Sequence, residues 1–106
     1  MGNPRHVVVV EDVFVRSFLR AALERIGYVA HCVSAEEAMR LLRSGEMDLL
    51  VTNAPETFSE FGDTIPLLYI AAFPNPANAS DFRRWLPLHK PFQAHELNAA
   101  IQRLLA

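Results

Sequence analysis

The sequence predicts an α/β protein built on a parallel β-sheet, and three patterns support this fold class. Short apolar runs without polar alternation, such as "HVVVV" at 6–10, suit strands that are covered on both faces. Segments in which apolar residues recur with the helical period separate these runs. Gly27 and Gly45 follow the first two helical segments, as glycine commonly does at a helix end. Strands that alternate with helices pair in parallel through right-handed crossovers, and 106 residues allow one domain with a modest core.

The first half of the chain contains three predicted strands and two predicted helices. The first strand ends abruptly at an acidic pair, and the helix after it carries its apolar residues on one stripe. The second helix starts after Ser34, which forms a capping-box pattern with Glu37 three residues later. The predicted strands cover 6–10, 28–33 and 48–52, and the helices cover 13–26 and the segment between Ser34 and Gly45.

The second half of the chain contains two predicted strands, over 65–72 and 86–89, and a last helix that starts near Ala94. Its two connecting segments oppose helix. "APETFSEFGDT" contains a proline and a glycine, and "FPNPANASDFRRW" opens with two prolines. We therefore expect the third and fourth helices to be shortened or missing.

Composition and charge exclude several classes of function. The net charge is −2, and the lysines and arginines are spread along the chain, so no basic footprint for nucleic acid is present. No apolar run approaches the roughly 20 residues of a membrane-spanning helix. The one cysteine, Cys32, is expected to be a buried thiol in a reducing compartment. We expect a cytoplasmic protein that binds neither nucleic acid nor membrane.

Four features stand at the predicted strand ends. The pair Glu11–Asp12 follows the first strand, Asn53 ends the third, Ala71 ends the fourth, and the "KPF" of 90–92 follows the fifth. This order and spacing resemble the receiver domain of bacterial response regulators over nearly the whole chain, from "VVVVED" and "DLLVTN" to "LHKPFQAHELNAAI". The resemblance implies a flavodoxin-like, doubly wound five-stranded parallel sheet with strand order 2-1-3-4-5. It also implies one receiver-like domain over all 106 residues, without an output domain.

The resemblance implies a role for each strand-end position. In receivers the acidic pair holds Mg²⁺, an aspartate accepts a phosphoryl group, a serine or threonine and an aromatic residue respond to it, and a lysine contacts its oxygens. The bond between that lysine and the proline after it is typically cis, which implies a cis bond before Pro91. The corresponding positions here are Glu11 and Asp12, Asn53, Ala71 and Pro87, and Lys90.

This chain departs from the receiver pattern at three linked positions. Asn53 has no carboxylate to form an acyl phosphate, Ala71 has no hydroxyl, and Pro87 has no aromatic ring to turn inward. Loss of all three predicts a site that no longer works as a phosphorylation switch. No cofactor is expected. The acidic pair remains a weak candidate for Mg²⁺, and the alternative is that Lys90 neutralises the pair directly.

Aromatic residues crowd into the region where the helices are expected to be short. Either they fold back and cover the sheet, or they form an exposed apolar patch that binds a partner, which we expect. Phe14 and Phe18, one helical turn apart, form a second candidate patch that we expect to be partly packed. The first set consists of Phe58, Phe61, Phe73, Phe82 and Trp85.

These observations predict a signalling module of a two-component-type pathway that acts by protein contact and is not an enzyme. Its partner would be a histidine kinase, another receiver or a second copy of the chain. One alternative is a Mg²⁺-dependent phosphohydrolase, which needs a nucleophile or base that Asn53 and Ala71 do not supply. Another is a small-ligand sensor that uses the strand-end crevice, although no glycine-rich phosphate loop follows the first strand.

Overall fold

A computed structural model describes residues 2–106 and shows five parallel strands in the order β2-β1-β3-β4-β5. The predicted fold class and strand order are confirmed, and most strand and helix ends lie within two residues of the predicted ones. Within the described range, no helix has the length and apolar character needed to cross a bilayer. The elements are β1 (His6–Val10), α1 (Val13–Arg25), β2 (Val29–Cys32), α2 (Ala35–Arg43), β3 (Leu49–Thr52), β4 (Leu67–Ala71), β5 (Trp85–His89) and α3 (Ala94–Leu105).

Local sequence sets the ends of the first two helices. The N-cap of α1 is Asp12, whose side chain accepts hydrogen bonds from two backbone N–H groups of the first turn. The N-cap of α2 is Ser34, whose Oγ accepts from the Glu37 N–H at 3.2 Å. Both helices are followed by a glycine with positive φ, +90° at Gly27 and +77° at Gly45, a conformation that L side chains rarely adopt.

The sheet separates two apolar cores. α1 and α3 cover one face, and α2 covers part of the other together with the connecting segments. Successive side chains of β1 therefore enter different cores, which explains why the strand is apolar throughout. The first core contains Val7, Val9, Leu19, Leu23, Leu97 and Ile101, and the second contains Val8, Ala38, Leu42, Leu50 and Leu67.

Two 3₁₀ segments, Pro55–Phe61 and Pro76–Ala79, stand where the third and fourth helices were expected to be reduced. This confirms the prediction, and each segment has a proline in its first turn. Tyr69 of β4 holds the second segment in place. Its hydroxyl oxygen accepts from the Asn75 backbone N–H and from Asn78 Nδ2, both at 3.3 Å.

The aromatic residues of this region mainly fill the core, so the predicted interface was wrong for most of its members. Phe58, Phe61 and Phe82 are buried in the second core, and Trp85 is half-buried beside it. Phe73 is 90% exposed. The two reduced helices leave part of a sheet face open. Phenylalanines from the connecting segments are buried because they cover this face themselves, without a partner.

Candidate functional site

The predicted site residues meet at the carboxyl edge of the sheet. β1 and β3 end in register, so Glu11 and Asn53 follow neighbouring strands at the same level. Ala71, the last residue of β4, accepts a backbone hydrogen bond from the Lys90 N–H at 2.9 Å. Because Asp12 follows Glu11 directly, the topology gathers the acidic pair, the amide and the lysine at one edge.

The side chain of Lys90 pairs with both acidic residues. Its Nζ lies 3.1 Å from Glu11 Oε2 and 3.9 Å from Asp12 Oδ2. The Glu11 side chain is wholly buried, whereas that of Lys90 is 25% exposed and that of Asp12 is mostly exposed. A buried carboxylate requires a partner for its charge, so the Lys90–Glu11 pair is the main contact and Asp12 is secondary.

Asp12 is also the N-cap residue of α1. Its Oδ1 accepts from the backbone N–H groups of Phe14 and Val15, each at 3.1 Å. Its other oxygen faces Lys90. Glu11 Oε1, by contrast, is buried without a hydrogen-bond partner. The acidic pair is therefore already committed to a helix cap and an ion pair, apart from this one oxygen.

The available donors fit Mg²⁺ poorly. Mg²⁺ requires a near-octahedral set of oxygens, whereas the ammonium of Lys90 already lies between the two carboxylates. The amide of Asn53 adds no charge. Among residues 2–106, no group of three or more His, Cys, Asp or Glu side chains is placed to hold a metal. Glu11 and Asp12 stay weak candidates, and we derive no chemistry through a metal.

The positions that respond to phosphorylation in receivers lack the necessary groups here. Asn53 is exposed just beyond β3, and Ala71 presents only a methyl group. Pro87 lies within the edge strand β5, exposed and in register with Tyr69 of β4. The Lys90–Pro91 peptide bond is cis, as the resemblance implies. These three positions therefore supply no carboxylate that could accept a phosphoryl group, no hydroxyl that could bond to it and no aromatic ring that could change its orientation.

An apolar surface adjoins this pocket, and it is more open than the sequence predicted. Phe14 is 86% exposed and Phe18 is 43% exposed, so the expectation that both were partly packed was wrong for Phe14. Phe18 makes an edge-to-face contact with Phe92 at 5.6 Å between ring centroids. These three phenylalanines, which we call the α1 surface, line a cavity of about 440 Å³ together with Lys90 and Pro91.

Sequence reasoning missed Phe92 as a member of this surface, although it named the "KPF" stretch. A signal for the exposure of Phe14 was present, because Phe14 and Phe18 lie off the stripe that carries Leu19 and Leu23 into the core. The contact with Phe92 depends on how α3 and its preceding loop dock beside α1, which no local pattern specifies.

A histidine pair lies near the opposite end of β1. His6 Nδ1 and His31 Nε2 are 3.0 Å apart, which is a hydrogen-bond distance. The pKa of His31 is lowered, chiefly by burial and then by the charges of His6 and Arg20. The pair is separate from the strand-end pocket, and no local pattern indicated it because the two residues meet through strand register.

Comparisons with known proteins place this fold. No family model matches the sequence, and no curated protein matches it. Solved structures do match. The signal receiver domain of an HD domain-containing protein from Pseudomonas fluorescens Pf-5 matches with a TM-score of 0.79 and 20% identity, over 99% of this chain and 89% of that one. The Vibrio cholerae chemotaxis protein CheY4 matches with a TM-score of 0.78 and 20% identity, over 97% and 100%.

A third neighbour is the receiver domain of the sensor histidine kinase PA1611 from Pseudomonas aeruginosa PAO1. It matches with a TM-score of 0.77 and 19% identity, over 97% of this chain and 98% of that one, and it carries a magnesium ion in its active-site cleft. Each match extends over nearly the whole of both chains. Together with the strand order and the strand-end residues, these matches show that the chain has the fold of a response regulator receiver domain.

Proposed function

We propose that this protein is a receiver-fold signalling module that acts by protein contact and without phosphoryl transfer. The pairing of Lys90 with Glu11 and Asp12, beside an amide at Asn53, is the observation that carries this proposal. An acyl phosphate forms on a carboxylate, and the amide of Asn53 provides none. The cation that would contact a phosphoryl group is already engaged by the acidic pair.

The α1 surface supports contact with another protein. Phe14, Phe18 and Phe92 form an apolar patch on a small protein whose other large apolar residues are mostly buried. Exposed apolar patches of this kind mark interaction sites, and aromatic side chains often dominate binding energy at interfaces. The partner belongs to a two-component-type pathway and is a histidine kinase, another receiver or a second copy of this chain.

An enzymatic function is disfavoured by the same residues. A metal-dependent phosphohydrolase requires a metal together with a nucleophile or an activated water. Neither Asn53 nor Ala71 is a nucleophile, and the carboxylates that remain are paired with Lys90. We therefore propose a binding module and not a catalyst.

The test is exposure to acetyl phosphate and to beryllofluoride, each with Mg²⁺, followed by intact-mass measurement and a backbone amide spectrum. We expect no phosphoryl adduct and no change of the amide spectrum. The matched control is Asn53→Asp, which supplies the acceptor and shows that the reagents work. A wild-type adduct that disappears in Asn53→Ala would overturn the proposal.

A further inference from the structure

The outward face of α1 carries a regular stripe of residues. Phe14, Phe18, Ala21 and Arg25 are spaced by four, three and four residues, which puts them on one side of the helix. All four are exposed. The core residues Leu19 and Leu23 lie on the opposite side. α1 therefore has one face in the core and one that is largely exposed, where Phe18 alone contacts an aromatic ring of this chain, that of Phe92.

The stripe is bulky at one end and hollow at the other. The phenylalanine end lines the cavity of about 440 Å³ described above. A second cavity of about 250 Å³ lies between α1 and α3. Its lining consists of Phe18, the small side chains of Ala21, Ala22 and Ala94, and the larger Arg25, Ile26 and Asn98. Because Phe18 lines both cavities, they adjoin at its ring. We call the two together the groove, with phenylalanine rings in one half and small alanine side chains in the other.

The two ends of the stripe also differ in charge. At the start of α1, two carboxylates face one ammonium, so Glu11, Asp12 and Lys90 together leave one net negative charge. At the end of the helix Arg25 is exposed, and within the described chain it takes part in no ion pair. The stripe is therefore negative beside Phe14 and positive beside Ala21.

A surface that is bulky and negative at one end, and hollow and positive at the other, complements itself when it is turned end for end. We propose that the partner bound by this face is a second copy of this chain, with the two α1 helices antiparallel across a two-fold axis. The inference rests on the proposed function, because it identifies the partner that the α1 surface contacts. The resulting contact is isologous, so each pairing occurs twice.

The spacing of the stripe determines which residues meet. Antiparallel alignment sets Phe18 of each chain against Ala21 of the other, where the ring enters the hollow half of the groove. It also sets Arg25 of each chain against Phe14 of the other. There the guanidinium lies over an aromatic ring and close to the negative end of the second copy. Large side chains meet small ones, and opposite charges meet.

The contact is small, since each chain contributes one helix and the edge of α3. It belongs at the low end of interface sizes, so we expect a reversible dimer with a Kd on the order of 10 μM. Sedimentation equilibrium above and below that concentration should show a monomer–dimer transition. Phe18→Ala should weaken dimerisation by at least about tenfold. Phe73→Ala is the matched control and should change nothing, because Phe73 is also an exposed phenylalanine, at 90% against 43% for Phe18, but lies off α1.

A size exchange tests the pairing itself. Ala21→Phe alone should weaken the dimer because two rings then collide. The double variant Phe18→Ala with Ala21→Phe should restore it, because ring and hollow again meet across the axis. Circular dichroism melts check that each variant is folded. If Ala21→Phe does not fold, Arg25→Glu replaces it, and it should weaken the dimer by bringing a negative charge to a negative end.

A wild-type protein that stays monomeric over the whole concentration range would overturn the dimer. So would equal effects of Phe18→Ala and Phe73→Ala, or a folded double variant that fails to recover. In each case the surface would be left to a different protein, and the proposed function would still stand on its own test. A phosphoryl adduct at Asn53 would overturn the proposed function, whatever the oligomeric state.

Discussion

Replacing Lys90 with methionine should leave Glu11 as a buried carboxylate without its cation. Methionine keeps an unbranched stem that can pack against the wall of the pocket and removes only the ammonium. Lys90 Nζ lies 3.1 Å from Glu11 Oε2, and the other oxygen of Glu11 is already buried without a partner. The variant therefore leaves the Glu11 carboxylate with the Asp12 backbone N–H, which donates to Oε2 at 3.2 Å, and with no cation.

The expected cost follows from this burial. Removing one member of a buried ion pair typically costs about 3–5 kcal/mol, and the 25% exposure of Lys90 favours the lower end. The contact with the exposed Asp12 adds little. We expect the free energy of unfolding to fall by about 3 kcal/mol, which lowers Tm by roughly 15 °C in a domain of this size.

Urea unfolding of a double-mutant cycle measures the pair directly. Lys90→Met and Glu11→Gln, alone and together, should give a coupling energy of about 2 kcal/mol. Arg43 and Glu60 are the matched control, because their exposed side chains form a 3.6 Å pair between α2 and the first 3₁₀ segment. That cycle should give no more than about 0.5 kcal/mol.

A loss below about 1 kcal/mol in Lys90→Met, or equal coupling in the two cycles, would refute the reasoning. Glu11 would then be neutralised by something other than Lys90. Lys90 would then not be the internal cation that occupies the pocket.

Three further predictions concern Gly62, His31 and Asn53. Gly62→Ala should destabilise the protein by at least about 2 kcal/mol, because the added methyl group would overlap the Asp81 carbonyl oxygen; a urea midpoint equal to wild type would contradict this. Burial is the chief reason that the pKa of His31 in the folded protein is lowered from the ordinary value of 6.5. The unfolded chain therefore takes up this proton at a higher pH than the folded protein does. Stability should therefore fall as pH drops through that value, and His31→Gln should flatten the dependence in unfolding curves across about pH 5 to 8; an equally steep profile in the variant would count against it. Asn53→Asp should lose on the order of 1 kcal/mol from carboxylate repulsion and regain it with Mg²⁺, whereas wild type should respond much less; equal shifts of Tm with Mg²⁺ in both proteins would show that the acidic pair alone holds the ion.

Local signals in the sequence were sufficient for most of the fold. The β-branched run at 6–10, the cap at Ser34 and the glycines at Gly27 and Gly45 all act within a few residues, so each could be interpreted without a partner element. The strand-end positions could also be identified, because parallel strands bring their carboxyl ends to one edge whatever else the chain does. The missing chemistry of Asn53 follows from its residue type alone.

Contacts between distant parts of the chain determined which aromatic residues of the connecting segments are buried. Phe58 and Phe73 both lie in proline-containing connections, yet Phe58 is fully buried and Phe73 is 90% exposed. Their difference depends on which part of the sheet face the reduced helices leave open, and on which side chain reaches it.

The sequence by itself determined the order of Glu11, Phe14 and Lys90 along the chain and the chemistry that each side chain can supply. The tertiary structure alone decided that Lys90 meets a wholly buried Glu11 from 79 residues away. It also decided that α3 and its preceding loop pack beside α1 and leave Phe14 uncovered. The physical reason is range: caps, turns and periodicity act over one or two turns of chain, whereas burial and ion pairing depend on every surface that folds against the residue.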